Sequence, residues 1–166
     1  MELPEELHLN WVRRLQTPQR AWPEQPDDVG KLSFDVSYSP VVMGGLVFVP
    51  SMRSDRLTAY RVEDGSEVWR RYVDGPVRLA PAAWEGKVYF VSDDGHLHCL
   101  DAQTGKPLWS FKAAPDNRLV LGNNRVISMW AARGAPVIKD GTVYFAAGVW
   151  PFMGTFIYAL DAESGE

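Results

Sequence analysis

Apolar runs at 46–49, 88–91 and 143–146 recur in one setting: each is opened by a glycine, Gly45, Gly86 or Gly141, standing five residues after a proline, Pro40, Pro81 or Pro136. The run Val88-Tyr89-Phe90-Val91 is apolar at every position, which predicts a strand buried on both faces rather than a helix. Asp93-Asp94-Gly95 marks a tight hairpin before a second strand over 96–101. Gln103-Thr104-Gly105-Lys106 marks another turn before a strand carrying Trp109. Together these predict four short antiparallel strands in 80–109, and the same order repeats in 39–69 and 135–166. A unit of this size cannot bury its own apolar faces and must stack on copies of itself. Four strands per unit is the size of one β-propeller blade.

The three copies share a further signature, Ala-x-Asp-x-x-x-Gly-x-x-x-Trp. It reads as Ala59, Gly65 and Trp69 in the first copy, as Cys99, Asp101, Gly105 and Trp109 in the second, and as Ala159, Asp161 and Gly165 in the third. Arg61 stands where the first copy should have Asp, and Cys99 where the second should have Ala. This pattern resembles the tryptophan docking motif of the quinoprotein-type β-propellers with PQQ-like repeats, over roughly 38–166. The resemblance implies an all-β propeller in which each Trp lies against the neighbouring blade and the glycine turn leaves room for it. About three blades are present, fewer than the about 4 to 8 of a closed ring. The stretch is therefore expected to be part of a longer propeller, a reading reinforced by Glu166 standing short of the third motif's Trp.

Residues 1–37 lack the glycine pattern, and we treat them as a segment distinct from the repeats at 38–166. Trp11-Val12-Arg13-Arg14-Leu15 nonetheless matches Trp69-Arg70-Arg71-Tyr72-Val73 in character. Two readings stand for 11–15: a blade-closing strand whose partner strands lie elsewhere, or a simple surface arm. The Pro-, Gln- and Asp-rich run 18–31 reads as a loop.

Two insertions interrupt the repeats. The connection from Trp109 to Pro136 is more than twice as long as that from Trp69 to Pro81, and it contains Arg118, Arg125, Trp130 and Arg133 with Asn117, Asn123 and Asn124. The third repeat carries a longer hairpin tip, Trp150-Pro151-Phe152-Met153. Read functionally, Trp130, Trp150 and Phe152 supply apolar contact, and Arg118, Arg125 and Arg133 charge-assisted bonds, to a protein partner or small ligand. Read structurally, the aromatics cap blade edges and the arginines are solvated or paired with Asp116.

Composition narrows the chemistry. With 166 residues, 46% of them hydrophobic, the chain can build a core, and a net charge of −4 argues against nucleic-acid or anionic-membrane partners. No apolar run is long enough to span a membrane, and residues 1–20 show no leader-type apolar segment. A single cysteine excludes an internal disulfide. His96 and His98 share one strand face but have no third ligand grouped with them, so no metal is expected. The resemblance implies two functions: a non-catalytic scaffold or sensor module, as in outer-membrane assembly lipoproteins of the cell envelope or periplasm, or a dehydrogenase using PQQ and calcium. The dehydrogenases carry a vicinal Cys-Cys pair against the quinone, which Cys99 alone does not supply. No cofactor is therefore expected, with PQQ and calcium as the alternative.

Overall fold

The computed structural model describes residues 8–22, 35, 37–122 and 124–166. Its strands are β1 (Val41–Met43), β2 (Leu46–Ser51), β3 (Arg56–Arg61), β4 (Glu67–Tyr72), β5 (Ala82–Trp84), β6 (Lys87–Val91), β7 (His96–Asp101), β8 (Pro107–Lys112), β9 (Leu119–Gly122), β10 (Arg125–Ser128), β11 (Gly134–Lys139), β12 (Thr142–Ala147) and β13 (Phe156–Asp161). They form antiparallel sheets in the orders β1-β2-β3-β4, β5-β6-β7-β8 and β11-β12-β13, with β9 and β10 as a separate hairpin. The repeats are thus successive blades of an unclosed propeller. Of the expected loop at 18–31, residues 23–31 lie outside the described residues.

Each blade opens on a two-residue hairpin in which both turn residues have positive φ: Gly44-Gly45, Glu85-Gly86 and Asp140-Gly141. Turns of this kind match the right-handed twist of the strands they join. Between the first two blades Leu46, Phe48, Leu57 and Ala59 meet Val88, Phe90 and Leu100. Between the second and third, Tyr89, Leu97 and Cys99 meet Val143, Phe145 and Leu160. The middle strand β6 is therefore buried on both faces, as its unbroken apolar run predicts, whereas Val47 and Val49 on β2 are only half-buried.

The docking motif joins the outermost strand of one blade to a turn of the next. Trp69 lies so close over the Gly105 turn that a Cβ there would stand 2.6 Å from the indole, and its Nε1 donates to Ala102 O at 2.9 Å. Trp109 covers Gly165 in the same way. Asp101 organises its turn by accepting from Thr104 N at 2.7 Å, and Asp161 does so from Ser164 N at 2.8 Å. In the first copy, where Arg61 replaces the Asp, Asp64 Oδ1 accepts from Ser66 N at 2.8 Å instead. The turn survives the substitution because the carboxylate has moved along the chain, and Arg61 N still donates to Ser66 O.

One docking pair differs. Trp109 Nε1 is buried with no hydrogen-bond partner among the described residues, and the matching carbonyl, Ala162 O, accepts from Tyr89 Oη at 2.9 Å. The first blade has Phe48 at that position, so nothing competes with Trp69. Tyr89→Phe is therefore expected to hand Ala162 O to Trp109. The net change in unfolding free energy should stay within about 0.5 kcal/mol, since one orphaned donor replaces another's lost bond. A denaturation loss above about 1.5 kcal/mol, or an unmoved Trp109 indole N–H resonance, would contradict this exchange.

Candidate binding face

Antiparallel order places the β2–β3, β6–β7 and β12–β13 turns at one end of the blades, together with the connections that leave β4 and β8. Both insertions therefore lie at the same end. The first folds largely into the β9–β10 hairpin, with Val120 opposite Ile127 and Leu121 opposite Val126. Asn124 takes the positive φ its turn requires, while Asn123 lies outside the described residues. Backbone bonds lock the insertion down: Ser128 N donates to Asp93 O at 2.8 Å, Ala132 N to Ser92 O at 3.2 Å and Gly148 N to Ala131 O at 3.0 Å.

Beneath this layer sits a buried ionic cluster. Arg78, on the β4–β5 connection, donates through Nε to Asp93 Oδ2 at 2.7 Å and through Nη1 to Asp35 Oδ2 at 2.8 Å and to Gln19 O at 2.7 Å. Arg133 grips Asp93 with Nε and Nη2, both at 3.0 Å. Ala21 N donates to Asp35 at 2.6 Å. Side chains of Asp35 and Asp93 are 1% exposed and that of Arg78 3%, so the charges face no bulk water and depend on each other. Arg78 and Asp35 carry no motif, and the sequence gives no sign of their pairing.

The residues named from the sequence fall around this cluster. Arg118 pairs with Asp116 at 2.7 Å and stacks over Trp130, its guanidinium carbon 4.7 Å from the ring centroid. Arg125 pairs with Asp55, and Arg133 also stacks over Trp22. Trp130 is buried and donates through Nε1 to Met153 O at 2.9 Å, which ties the first insertion to the second. Trp150 is partly exposed, stacks on Phe152 and meets Trp22 edge-on at 5.2 Å, while Phe152 is 81% exposed. Asn117 accepts from Lys112 Nζ. Sequence reading missed one feature: Leu119, Leu121 and Val126, on the solvent side of the β9–β10 hairpin, are each more than 60% exposed. Leu119-Val120-Leu121 is apolar at every position, so the sequence does not show which face of the strand meets solvent.

A second polar group spans the β6–β7 turn and the start of β7. Ser92 Oγ donates to Asp94 Oδ1 at 2.5 Å and lies 3.0 Å from His98 Nε2, while His96 Nδ1 is 3.3 Å from Asp94. The serine and the carboxylate approach the same nitrogen of His98, at 3.0 and 3.5 Å, so this is not the relay in which an acid orients one ring nitrogen and the other activates a hydroxyl. Burial pushes the Asp94 carboxyl up, but bonds from His96, His98 and Ser92 outweigh it and hold the group far below the usual carboxylate range. The Asp94 hydrogen bond raises His96 above its ordinary 6.5, against an opposing effect of burial.

The signs give a window. Raised in the folded state, His96 adds stability that is complete below about pH 6.5 and is lost as pH rises through its folded value. Lowered, Asp94 adds stability above about pH 4 that is lost only in strong acid. Urea midpoints should therefore fall between pH 5.5 and pH 8, and His96→Gln should flatten that slope; an unchanged slope would detach it from His96. Cys99, fully buried, has its thiol pushed up to about 12 by burial, which leaves no thiolate for chemistry.

Comparison with known proteins fits the blades. A family model described as outer membrane protein assembly factor BamB matches residues 10–166. The dehydrogenase subunit of a quinone alcohol dehydrogenase from Gluconobacter oxydans is 30% identical over 162 residues, covering 84% of this chain and 21% of that protein. The outer membrane protein assembly factor BamB of Xanthomonas campestris pv. campestris is 32% identical over 96 residues, covering 58% of this chain and 21% of that protein. The solved quinohemoprotein alcohol dehydrogenase ADHIIG of Pseudomonas putida HK5 superposes with a TM-score of 0.63 at 26% identity, over 76% of this chain and 19% of that one. The chain thus spans about a fifth of the length of these relatives.

Proposed function

The chain belongs to the family described as outer membrane protein assembly factor BamB, and we propose that it serves as a non-catalytic PQQ-like propeller that binds a protein partner at the insertion end of its blades. The observation that carries this reading is the β9–β10 hairpin, whose Leu119, Leu121 and Val126 stand in solvent on a ribbon already anchored by Ile127 from its other side. Exposed apolar side chains grouped on one face mark an interaction surface. The exposed tip at Phe152 lies at the same end and adds aromatic contact of the kind that dominates binding energy. Arg118, Arg125 and Arg133 serve the scaffold, since each already has a carboxylate partner.

The named dehydrogenase relatives favour a second reading, oxidation of an alcohol or sugar with PQQ and calcium. The buried arginines at the insertion end are not free for that group. PQQ is a polyanion and needs uncommitted cations, whereas Arg78 and Arg133 are held by Asp35 and Asp93. The lone Cys99 is sealed inside the sheet stack and no vicinal pair accompanies it. Among the described residues no group of three His, Cys, Asp or Glu side chains is placed to hold a metal ion. Calorimetric titration with PQQ in the presence of calcium, followed by dye reduction with ethanol or glucose, is expected to give neither heat nor turnover. Saturable binding with dye reduction would overturn the scaffold reading. The same reading assigns the protein to the cell envelope or periplasm, which fractionation of the source cells would check.

A further inference from the structure

The segment around Trp11 is fixed to the first blade by its side chains. Trp11 Nε1 donates to Val62 O at 2.7 Å and Arg13 Nε to Gly65 O at 2.8 Å. Just past these anchors the segment and the β2–β3 hairpin bound a pocket of about 150 Å³, whose polar lining includes Arg14, Ser51, Ser54, Arg56 and Thr58. No Asp or Glu lines it. Strand pairing sets Ser51 opposite Arg56, and the two-residue period turns Arg56 and Thr58 to the same face of β3.

The pocket holds donors that the chain itself leaves unused. Arg14 is exposed and makes no hydrogen bond or ion pair among the described residues. Arg56 uses Nη1 to reach Tyr72 Oη at 3.1 Å, while its Nε is buried without a partner among the described residues. Ser51 Oγ and Ser54 Oγ share one hydrogen at 2.8 Å, and Ser51 Oγ also accepts from Ser54 N at 3.2 Å, which leaves the second hydroxyl hydrogen of the pair free to donate. Thr58, 2% exposed, adds a buried hydroxyl. Asp55, in the same turn, is already committed to Arg125. Two guanidinium groups that line one pocket without a carboxylate repel each other, and an anion between them would relieve the repulsion and accept their N–H groups.

We propose that this pocket binds a small oxyanion of the phosphate type, held by Arg14 from the N-terminal segment, by Arg56 from β3 and by the hydroxyls of Ser51, Ser54 and Thr58. A single water needs about 10–15 Å³ of such space, so a tetrahedral ion fits. Donors on both walls suit oxygens that point in four directions better than they suit a planar carboxylate. The bound ion ties the N-terminal segment to the first blade.

The test titrates the whole chain with sodium phosphate against sodium chloride of equal ionic strength, following backbone amide and arginine Nε–H resonances. Saturable shifts at Arg14, Ser54 and Arg56 are expected, with a Kd of about 1 mM. Arg14→Ala should weaken binding about tenfold, the value of one charge-assisted bond, and should leave the denaturation midpoint unchanged because the side chain is exposed. Arg56→Lys keeps the charge but loses the planar fork, so it should weaken binding too. Arg61→Ala, exposed and outside the pocket, should not. Glycerol phosphate identifies the source of the group: binding as tight as the free ion's supports a phosphorylated ligand, and weaker binding supports free phosphate. Absence of saturable shifts would overturn the proposal, as would equal shifts with chloride, which mark screening alone. Binding that survives both Arg14→Ala and Arg56→Lys would place the ion elsewhere and overturn it as well.

Discussion

Asp93→Ala is expected to destabilise the protein by about 3–5 kcal/mol, the range for removing one partner of a buried ion pair. Two cations depend on this carboxylate, Arg78 through one bond and Arg133 through two, and none of the three side chains is more than 9% exposed. Alanine would leave both guanidinium groups facing each other without their common anion. The loss would also spread, because the Asp93 backbone accepts from Ser128 and donates to Pro76 O, joining the insertion to the second blade. Asp93→Asn, which keeps the shape and some acceptor capacity, should fall between wild type and alanine. Chemical denaturation at neutral pH measures both. A loss below about 1 kcal/mol for the alanine variant would mean that water reaches the cluster and screens it.

Trp69→Ala should cost a similar about 3–5 kcal/mol by deleting a large side chain from a packed interface. The indole is 9% exposed, packs near Phe48 with ring centroids 5.9 Å apart and bonds to Ala102 O. Either loss is a large share of the about 5–15 kcal/mol that holds a typical domain. The motif alone gives Trp109 the same weight, but the structure does not: Trp109 is only half-buried and its Nε1 has no partner among the described residues. Trp109→Ala should therefore cost roughly half as much, and equal losses would show that the Tyr89 competition has no energetic consequence.

Much of the fold was readable because its rules are local or periodic. Gly45, Gly86 and Gly141 mark turns that need positive φ, and the apolar runs behind them mark strands that stacking buries, so strand order follows from the repeat itself. The docking residues were readable for the same reason, since Gly65 and Gly105 admit an indole only because they lack a Cβ. What stacking brings together from distant parts of the chain was not readable. Arg78 meets Asp35 and Asp93 across the blade junction, and neither spacing nor residue type predicts that a single aspartate will hold two arginines. The β9–β10 hairpin was missed because an insertion carries no second copy against which its strands can be aligned. Of the candidate site, the lengths of the two insertions were legible in the sequence, whereas their sharing one end of the blades is decided by the topology alone.

Trp69 and Trp109 hold the blades together by lying over the next blade's glycine, Gly105 and Gly165. A double-mutant cycle between Trp69 and Gly105 tests it most directly. Gly105 has φ of 68°, so Gly105→Ala carries backbone strain in either background, and that strain cancels in the cycle. What remains is the collision of the new Cβ with the indole. Gly105→Ala is expected to cost about 1–3 kcal/mol more with Trp69 present than in Trp69→Ala, the size of coupling measured between touching residues. Additive losses, agreeing within about 0.5 kcal/mol, would contradict it and leave the indole without a role at the blade junction.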